Sequence, residues 1–145
     1  MSELTILIDR FKQQGYKMTP QRRAILHMLA GPGVHLTAEK IHEQVHKTMP
    51  DLSLATVYNT LRELVSVKVV RELELGLGKH YYEVARARHA HLICLHCNEV
   101  YDLSVNWEDL GALLSASNGF TPLSYEIVVQ GYCADCSLPD TPQNN

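Results

Sequence analysis

Nine residues, His89-Ala-His-Leu-Ile-Cys-Leu-His-Cys97, constrain this chain more than any other stretch. They hold two of its four cysteines and three of its eight histidines. Side chains on a strand alternate between faces, so an extended start puts His89 and His91 on one side and Cys94 on the other. The ribbon can then serve two separate metal sites instead of one mixed cluster.

A second Cys-x-x-Cys, Cys133 to Cys136, follows after 35 intervening residues. Together Cys94, Cys97, Cys133 and Cys136 can supply four thiolates in the closed tetrahedral array of a structural Zn²⁺. Redox disulfides or an electron-transfer iron use the same spacing. A β-rich unit of about 55 residues has a marginal core, so such a staple would supply much of its stability. The N-terminus lacks the basic region and long apolar core of a signal peptide, and no run approaches the roughly 18 apolar residues of a membrane span. A reducing cytoplasm without membrane attachment is expected, which favours metal over disulfides.

Two imidazoles aimed the same way bind a metal well when hard or borderline ligands complete the shell. Glu83 and Asp102 are the best-placed carboxylates, and His35, in the turn before a helix, can reach in. Ligation by His and carboxylate without sulfur suits Fe²⁺, Mn²⁺ or Zn²⁺. His27, His42, His46, His80 and His96 stand alone and read as ordinary surface or hydrogen-bonded residues.

The 145 residues suffice for one ordinary domain or two small ones. With 46% hydrophobic and 20% charged residues, the composition is that of a globular protein and excludes a disordered chain. The net charge of −3 conceals a division. All 13 Lys and Arg lie at or before Arg88 with nine of the acids, and the seven acids beyond it have no basic residue among them. Only the front half is therefore suited to a polyanion.

Along that front half, Leu4, Leu7, Ile8 and Phe11 form one stripe of a helix over 3–14. Thr19-Pro20 starts a second helix, with Ile25, Leu26 and Leu29 inward, stopped by Gly31-Pro32-Gly33. Thr37 caps a third with Ala38, Ile41 and Val45 inward. Ser53 caps a fourth whose buried stripe is Leu54, Val57, Leu61 and Leu64, leaving Thr56, Tyr58, Asn59 and Arg62 outward. Strands over 69–75 and 79–84, joined by a turn at Gly76 and Gly78, complete a winged helix-turn-helix, with 37–48 as positioning helix and 53–67 as recognition helix.

Beyond Arg88 the pattern changes to short strands, 91–94 and 99–103, joined through the first Cys-x-x-Cys. A helix capped by Asn106, with Leu110, Leu113 and Leu114 inward, ends at Asn118-Gly119. An apolar strand over 124–130 leads to the second cysteine pair. The expected fold class is α+β, an N-terminal winged helix-turn-helix DNA-binding domain (1–84), a hinge (85–88), a small zinc-stapled α/β domain (89–137) and a disordered tail (138–145). Lys17, Arg22 and Arg23 are expected at phosphates, giving affinity that falls with salt. Tyr58, Asn59, Thr56 and Arg62 are expected near bases.

Thr19-Pro-Gln-Arg22, His35-Leu-Thr-Ala38, Ala55-Thr-Val-Tyr58, the His89–Cys97 ribbon and Cys133-x-x-Cys136 together resemble the ferric uptake regulator (Fur) family, over about residues 5 to 136. The resemblance implies a homodimeric winged-helix repressor of a palindromic DNA operator, dimerised through its C-terminal half. It also implies a four-cysteine structural zinc and a regulatory Fe²⁺ or Mn²⁺ site made of His35, Glu83, His89, His91 and Asp102.

Within the family, Asn59 resembles the peroxide-sensing PerR branch, where regulators of iron uptake usually carry Arg. Arg88, Ala90, Ser124 and Tyr125 stand where a third metal site of some members draws its ligands, so that site is expected to be absent. No cysteine is available for the hinge site of zinc-sensing members. Glu83 departs from the PerR pattern, whose carboxylate there is typically Asp, and matches Fur proper. The PerR reading implies that peroxide oxidises His35 and His89; the alternative is an iron-responsive regulator without that chemistry. A catalytic metal hydrolase and a metal-storage or zinc-ribbon module are the other classes open to these residues. No nucleophile–base pair supports the hydrolase, and a storage module would not need Tyr58 and Asn59 outward on a helix.

Overall fold

A computed structural model describes residues 1–137 of the chain as two compact units, Met1–Arg86 and Ala87 onward. The tail expected to be disordered, 138–145, lies outside the described residues.

The first unit runs α1 (Glu3–Gln13), α2 (Pro20–Leu29), α3 (Ala38–His46), α4 (Leu54–Ser66), β1 (Val70–Glu74) and β2 (His80–Val84). Each helix starts where a hydroxyl meets the bare backbone N–H groups of its first turn: Ser2, Thr19, Thr37 and Ser53 accept from Thr5, Arg22, Lys40 and Thr56. Each such cap contributes about 1 kcal/mol. The apolar stripes converge on one core, in which Phe11, Ile25, Leu26, Leu29, Ile41, Val57, Leu61 and Leu64 are fully buried. Leu54 is only half-buried, and Thr60 joins the buried face in addition to the expected stripe.

β1 and β2 pair antiparallel with Val70 opposite Val84 and Arg71 opposite Glu83. The free edge of β2 is covered by Leu36, which exchanges both backbone hydrogen bonds with Tyr82 at 3.1 and 2.7 Å. The segment before α3 is thereby laid alongside β2, and Tyr81 to Val84 are all buried. The last residue of the unit is fastened to its first helix: Arg86 donates to Glu3 Oε1 through Nε and Nη2 at 2.9 and 2.8 Å.

The second unit holds β3 (Ala90–Cys94), β4 (Val100–Leu103), α5 (Trp107–Asn118) and β5 (Val128–Gly131). Its sheet has the order β4-β3-β5, antiparallel on one side of β3 and parallel on the other. Asn98 turns the β3–β4 connection with a φ of 61°, a left-handed conformation that Asn tolerates better than most residues. Arg88 lies over the rings of Trp107 and Tyr125, 5.4 Å from each centroid.

Two expectations fail here. α5 buries none of its residues, and Leu113 is 65% exposed, because among the described residues no second layer of this unit covers its apolar side. The last strand spans only Val128–Gly131, since only that part reaches the edge of β3.

Candidate metal centres and nucleic-acid face

The sheet explains why four cysteines distant in sequence converge. Cys94 ends β3 in register with Gly131 of β5, so the chain leaving β5 brings Cys133 back to the β3–β4 turn. Leu95 N–H donates to Gly131 O at 2.8 Å, and Asn98 and Cys136 N–H close the two knuckles onto Cys94 O and Cys133 O. The four sulfurs lie within 4.8 Å of one another, and Cys97 Sγ is 3.9 Å from Cys133 Sγ. A tetrahedral set at about 2.3 Å from zinc has its sulfurs about 3.8 Å apart. None of the four forms a disulfide.

Their electrostatics also call for a cation. Backbone N–H groups, that of Cys97 foremost and then that of Cys133, hold the Cys94 thiol down at about 6. The hydrogen bond with Cys133 pushes Cys136 up to about 12, and Tyr101, which bonds the Cys133 sulfur, also rises to about 12. Sulfurs this close cannot all ionise unaided, whereas a divalent ion makes four thiolates compatible. The donor set fits Zn²⁺.

The other candidate ligands form one group in each unit. In the first, the Leu36–Tyr82 pairing sets His35 beside Glu83, and His35 Nε2 lies 2.9 Å from Glu83 Oε2 with both side chains almost wholly buried. In the second, His91 is paired with Asp102 across the β3–β4 ladder. His89 Nε2 and His91 Nε2 stand 3.2 and 3.9 Å from Asp102 Oδ1, and the two rings are 4.6 Å apart between centroids.

His35 and His89 share one device. Nδ1 of each faces the carbonyl oxygen two residues earlier, Gly33 O at 3.1 Å and Ala87 O at 2.8 Å. With the proton assigned to Nδ1, that bond fixes the ring and leaves the Nε2 lone pair directed at the carboxylate. Two ligands at about 2.1 Å on adjacent octahedral positions lie about 3.0 Å apart, close to the shorter spacings in both groups. Nitrogen and carboxylate oxygen without sulfur fit Fe²⁺, Mn²⁺ or Zn²⁺.

Sequence reasoning missed a partner in the first group. Arg71 Nη2 donates to Glu83 Oε1 at 2.7 Å. The signal was present, since a short turn between two strands fixes their register and sets these opposite charges face to face.

On the candidate nucleic-acid face, Tyr58, Asn59 and Arg62 are exposed on α4, Arg23 is exposed on α2, and Lys17 is exposed just before α2. Arg62 Nη1 donates to Asn59 Oδ1 at 3.3 Å. Thr56 belongs to the start of α4, its hydroxyl 2.9 Å from that of Ser53. Tyr58 donates a hydrogen bond to the Glu39 carboxylate, which pushes the phenol up to about 12 and lowers Glu39. These two side chains line a cleft of about 350 Å³ with Lys79 and His80 at the hairpin turn.

Arg22 is committed elsewhere. It pairs with Glu63 at 2.7 Å, donates to Lys17 O at 2.7 Å, and lies over the rings of Phe11 and Tyr16. Phe11 of α1, Tyr16 and Lys17 of the segment before α2, and Glu63 of α4 thus surround the guanidinium.

Comparison with known proteins agrees with this architecture. The "Peroxide operon regulator" of Bacillus subtilis is 31% identical over 136 residues, 93% of this chain and 94% of its own length. The "Peroxide-responsive repressor PerR" of Staphylococcus aureus is 30% identical over 135 residues, 92% of this chain and 91% of that one. The crystal structure of the Vibrio cholerae ferric uptake regulator superposes with a TM-score of 0.74 at 27% identity, covering 86% of this chain and 98% of that chain. The model of the ferric uptake regulator family matches residues 13–130, and the chain belongs to that family.

Proposed function

We propose that the protein is a metal-dependent transcriptional repressor of the PerR type, which releases a palindromic operator when peroxide oxidises its regulatory site. The observation carrying this is the pair of incomplete donor groups, His35 with Glu83 in the DNA-binding unit and His89, His91 and Asp102 in the other. Neither group alone fills the five or six positions such an ion takes, and the family resemblance joins them around one Fe²⁺ or Mn²⁺. An ion sharing both groups would favour one angle between the units, matched to successive major-groove half-sites. Cys94, Cys97, Cys133 and Cys136 would hold a permanent Zn²⁺ that builds the dimerising unit. Tyr58, Asn59 and Arg62 would meet bases, with Arg23 and Lys17 at phosphates.

The relatives named for their response to peroxide, similar over nine-tenths of the chain, support this branch. When bound, Fe²⁺ would supply the electrons that activate peroxide. The chain's part is to hold His35 and His89 within reach, so that one imidazole gains an oxygen atom and ceases to ligate. Glu83, longer than Asp, favours a second reading, an iron-responsive regulator without this chemistry. The deciding experiment loads the zinc-containing protein anaerobically with Fe²⁺ and adds stoichiometric peroxide. Binding is followed to a duplex selected by the protein from a random library, with the masses of the His35 and His89 peptides. A gain of one oxygen with loss of binding supports PerR-type sensing. Binding that follows iron reversibly, without any adduct, overturns it in favour of the second reading.

A further inference from the structure

Glu83 is 3% exposed, yet its two carboxylate oxygens have different neighbours. Oε2 lies 2.9 Å from His35 Nε2, and Oε1 accepts from Arg71 Nη2 at 2.7 Å. The arginine approaches with one prong only, while its Nε is buried with no hydrogen-bond partner. Arg71 and Glu83 are register partners on β1 and β2, so the contact is built into the ladder and does not depend on a flexible loop.

We propose that Arg71 is a positioning residue for the regulatory metal, holding Glu83 to one-oxygen ligation and keeping the ion exchangeable. The inference rests on the reading of Glu83 as a ligand of that ion. A carboxylate that gives one oxygen to a guanidinium has the other to offer beside the His35 nitrogen, and cannot chelate with both. Arg71 also acts as the resident cation of a buried carboxylate. The metal-free protein therefore already has Glu83 neutralised, and an incoming divalent ion meets a fixed positive charge a few ångströms away. Both effects weaken binding. A sensor needs that weakness, because a site that never empties reports nothing.

The test titrates Co²⁺ into the full chain, with zinc already at the cysteines, for wild type, Arg71→Met and Arg71→Lys. Visible d–d bands report coordination number, and sulfur-to-cobalt bands in the near ultraviolet reveal any exchange at the cysteines. Wild type is expected to take up one equivalent of Co²⁺ that His35→Ala abolishes. Arg71→Met is expected to bind it roughly tenfold more tightly. Its d–d bands should weaken as a second Glu83 oxygen raises the coordination number. Its thermal midpoint should fall in the cobalt-free form and recover on loading, whereas a purely structural role lowers both forms alike. Arg71→Lys, which keeps the charge, should keep near-wild-type affinity, and Arg71→Gln carries the same expectation as Met if that variant fails to fold. Unchanged affinity and bands in Arg71→Met, or weaker binding, overturn the role of Arg71 while leaving the site intact. Wild-type protein that takes up no Co²⁺ dependent on His35 overturns the site itself, and this inference with it.

Discussion

His91 faces Asp102 across the antiparallel ladder of β3 and β4, and the neighbouring His89 Nε2 comes within 3.2 Å of the same carboxylate oxygen. The ladder makes Asp102 the common partner of both imidazoles. Asp102 is exposed enough to be replaced without opening a cavity. Asp102→Ala is therefore expected to keep one zinc per chain and the wild-type circular dichroism spectrum. Its affinity for Mn²⁺ should fall by roughly 10- to 100-fold. Metal content after equilibrium dialysis measures this, and wild-type Mn²⁺ uptake by the variant would count against Asp102 as a ligand.

Cys136 is the last of the four cysteines in the chain, and among the described residues of its unit only Ala90, His91, Ile93, Cys94 and Val100 are buried. So small a core depends on the ion. Cys136→Ser, or removal of zinc by a strong chelator, is expected to unfold the second unit while the first keeps its own core. Limited proteolysis should then degrade the chain beyond Ala87 and leave a fragment ending near it. A second unit that resists protease without zinc would contradict the structural role of the metal.

Arg22 and Arg23 are adjacent but differently placed, the first enclosed by Glu63, Phe11 and Tyr16 and the second exposed. Arg22→Ala is expected to lower stability by about 1–2 kcal/mol, through loss of a charge-assisted bond and of ring packing. Arg23→Ala should leave the denaturation midpoint unchanged and reduce the slope of log affinity against log salt by about one. Urea titration and salt-dependent anisotropy separate the two, and an unchanged slope for Arg23→Ala would remove it from the phosphate contacts.

Glu3 has its carboxyl held below the usual range, chiefly by the hydrogen bond from Arg86 and also by Gly31 N–H. A carboxyl depressed by folding stabilises the protein fully above its unfolded value of 4.5 and loses that contribution as pH falls through the lower folded value. Glu3 is partly exposed, so solvent screening keeps the effect below about 1 kcal/mol. Glu3→Gln should accordingly be slightly less stable than wild type at pH 7, and the gap should close below pH of about 4. A gap that stays constant with pH would mean the Glu3–Arg86 pair carries no charge contribution.

Much of the first unit was legible because its signals are local. Thr19, Thr37 and Ser53 mark helix starts, and Ile25, Leu26, Leu29, Val57, Leu61 and Leu64 keep a helical period. The pairing of Leu36 with Tyr82, which sets His35 beside Glu83, left no trace, since one bridge has no periodicity. Arg71 could have been found from the hairpin register. In the second unit the cysteine spacing announced the staple. The leucines of α5 misled, because an apolar stripe does not say whether its cover comes from the same chain.

Metal occupancy of the regulatory site is expected to control DNA affinity. The most direct test of this control is fluorescence anisotropy of zinc-loaded protein on a labelled duplex selected from a random library, with and without Mn²⁺. Coupling between two sites commonly amounts to about 5- to 150-fold, and Mn²⁺ is expected to tighten binding at least tenfold in wild type and not in Asp102→Ala. Equal affinity with and without Mn²⁺ in the wild-type protein would contradict the account.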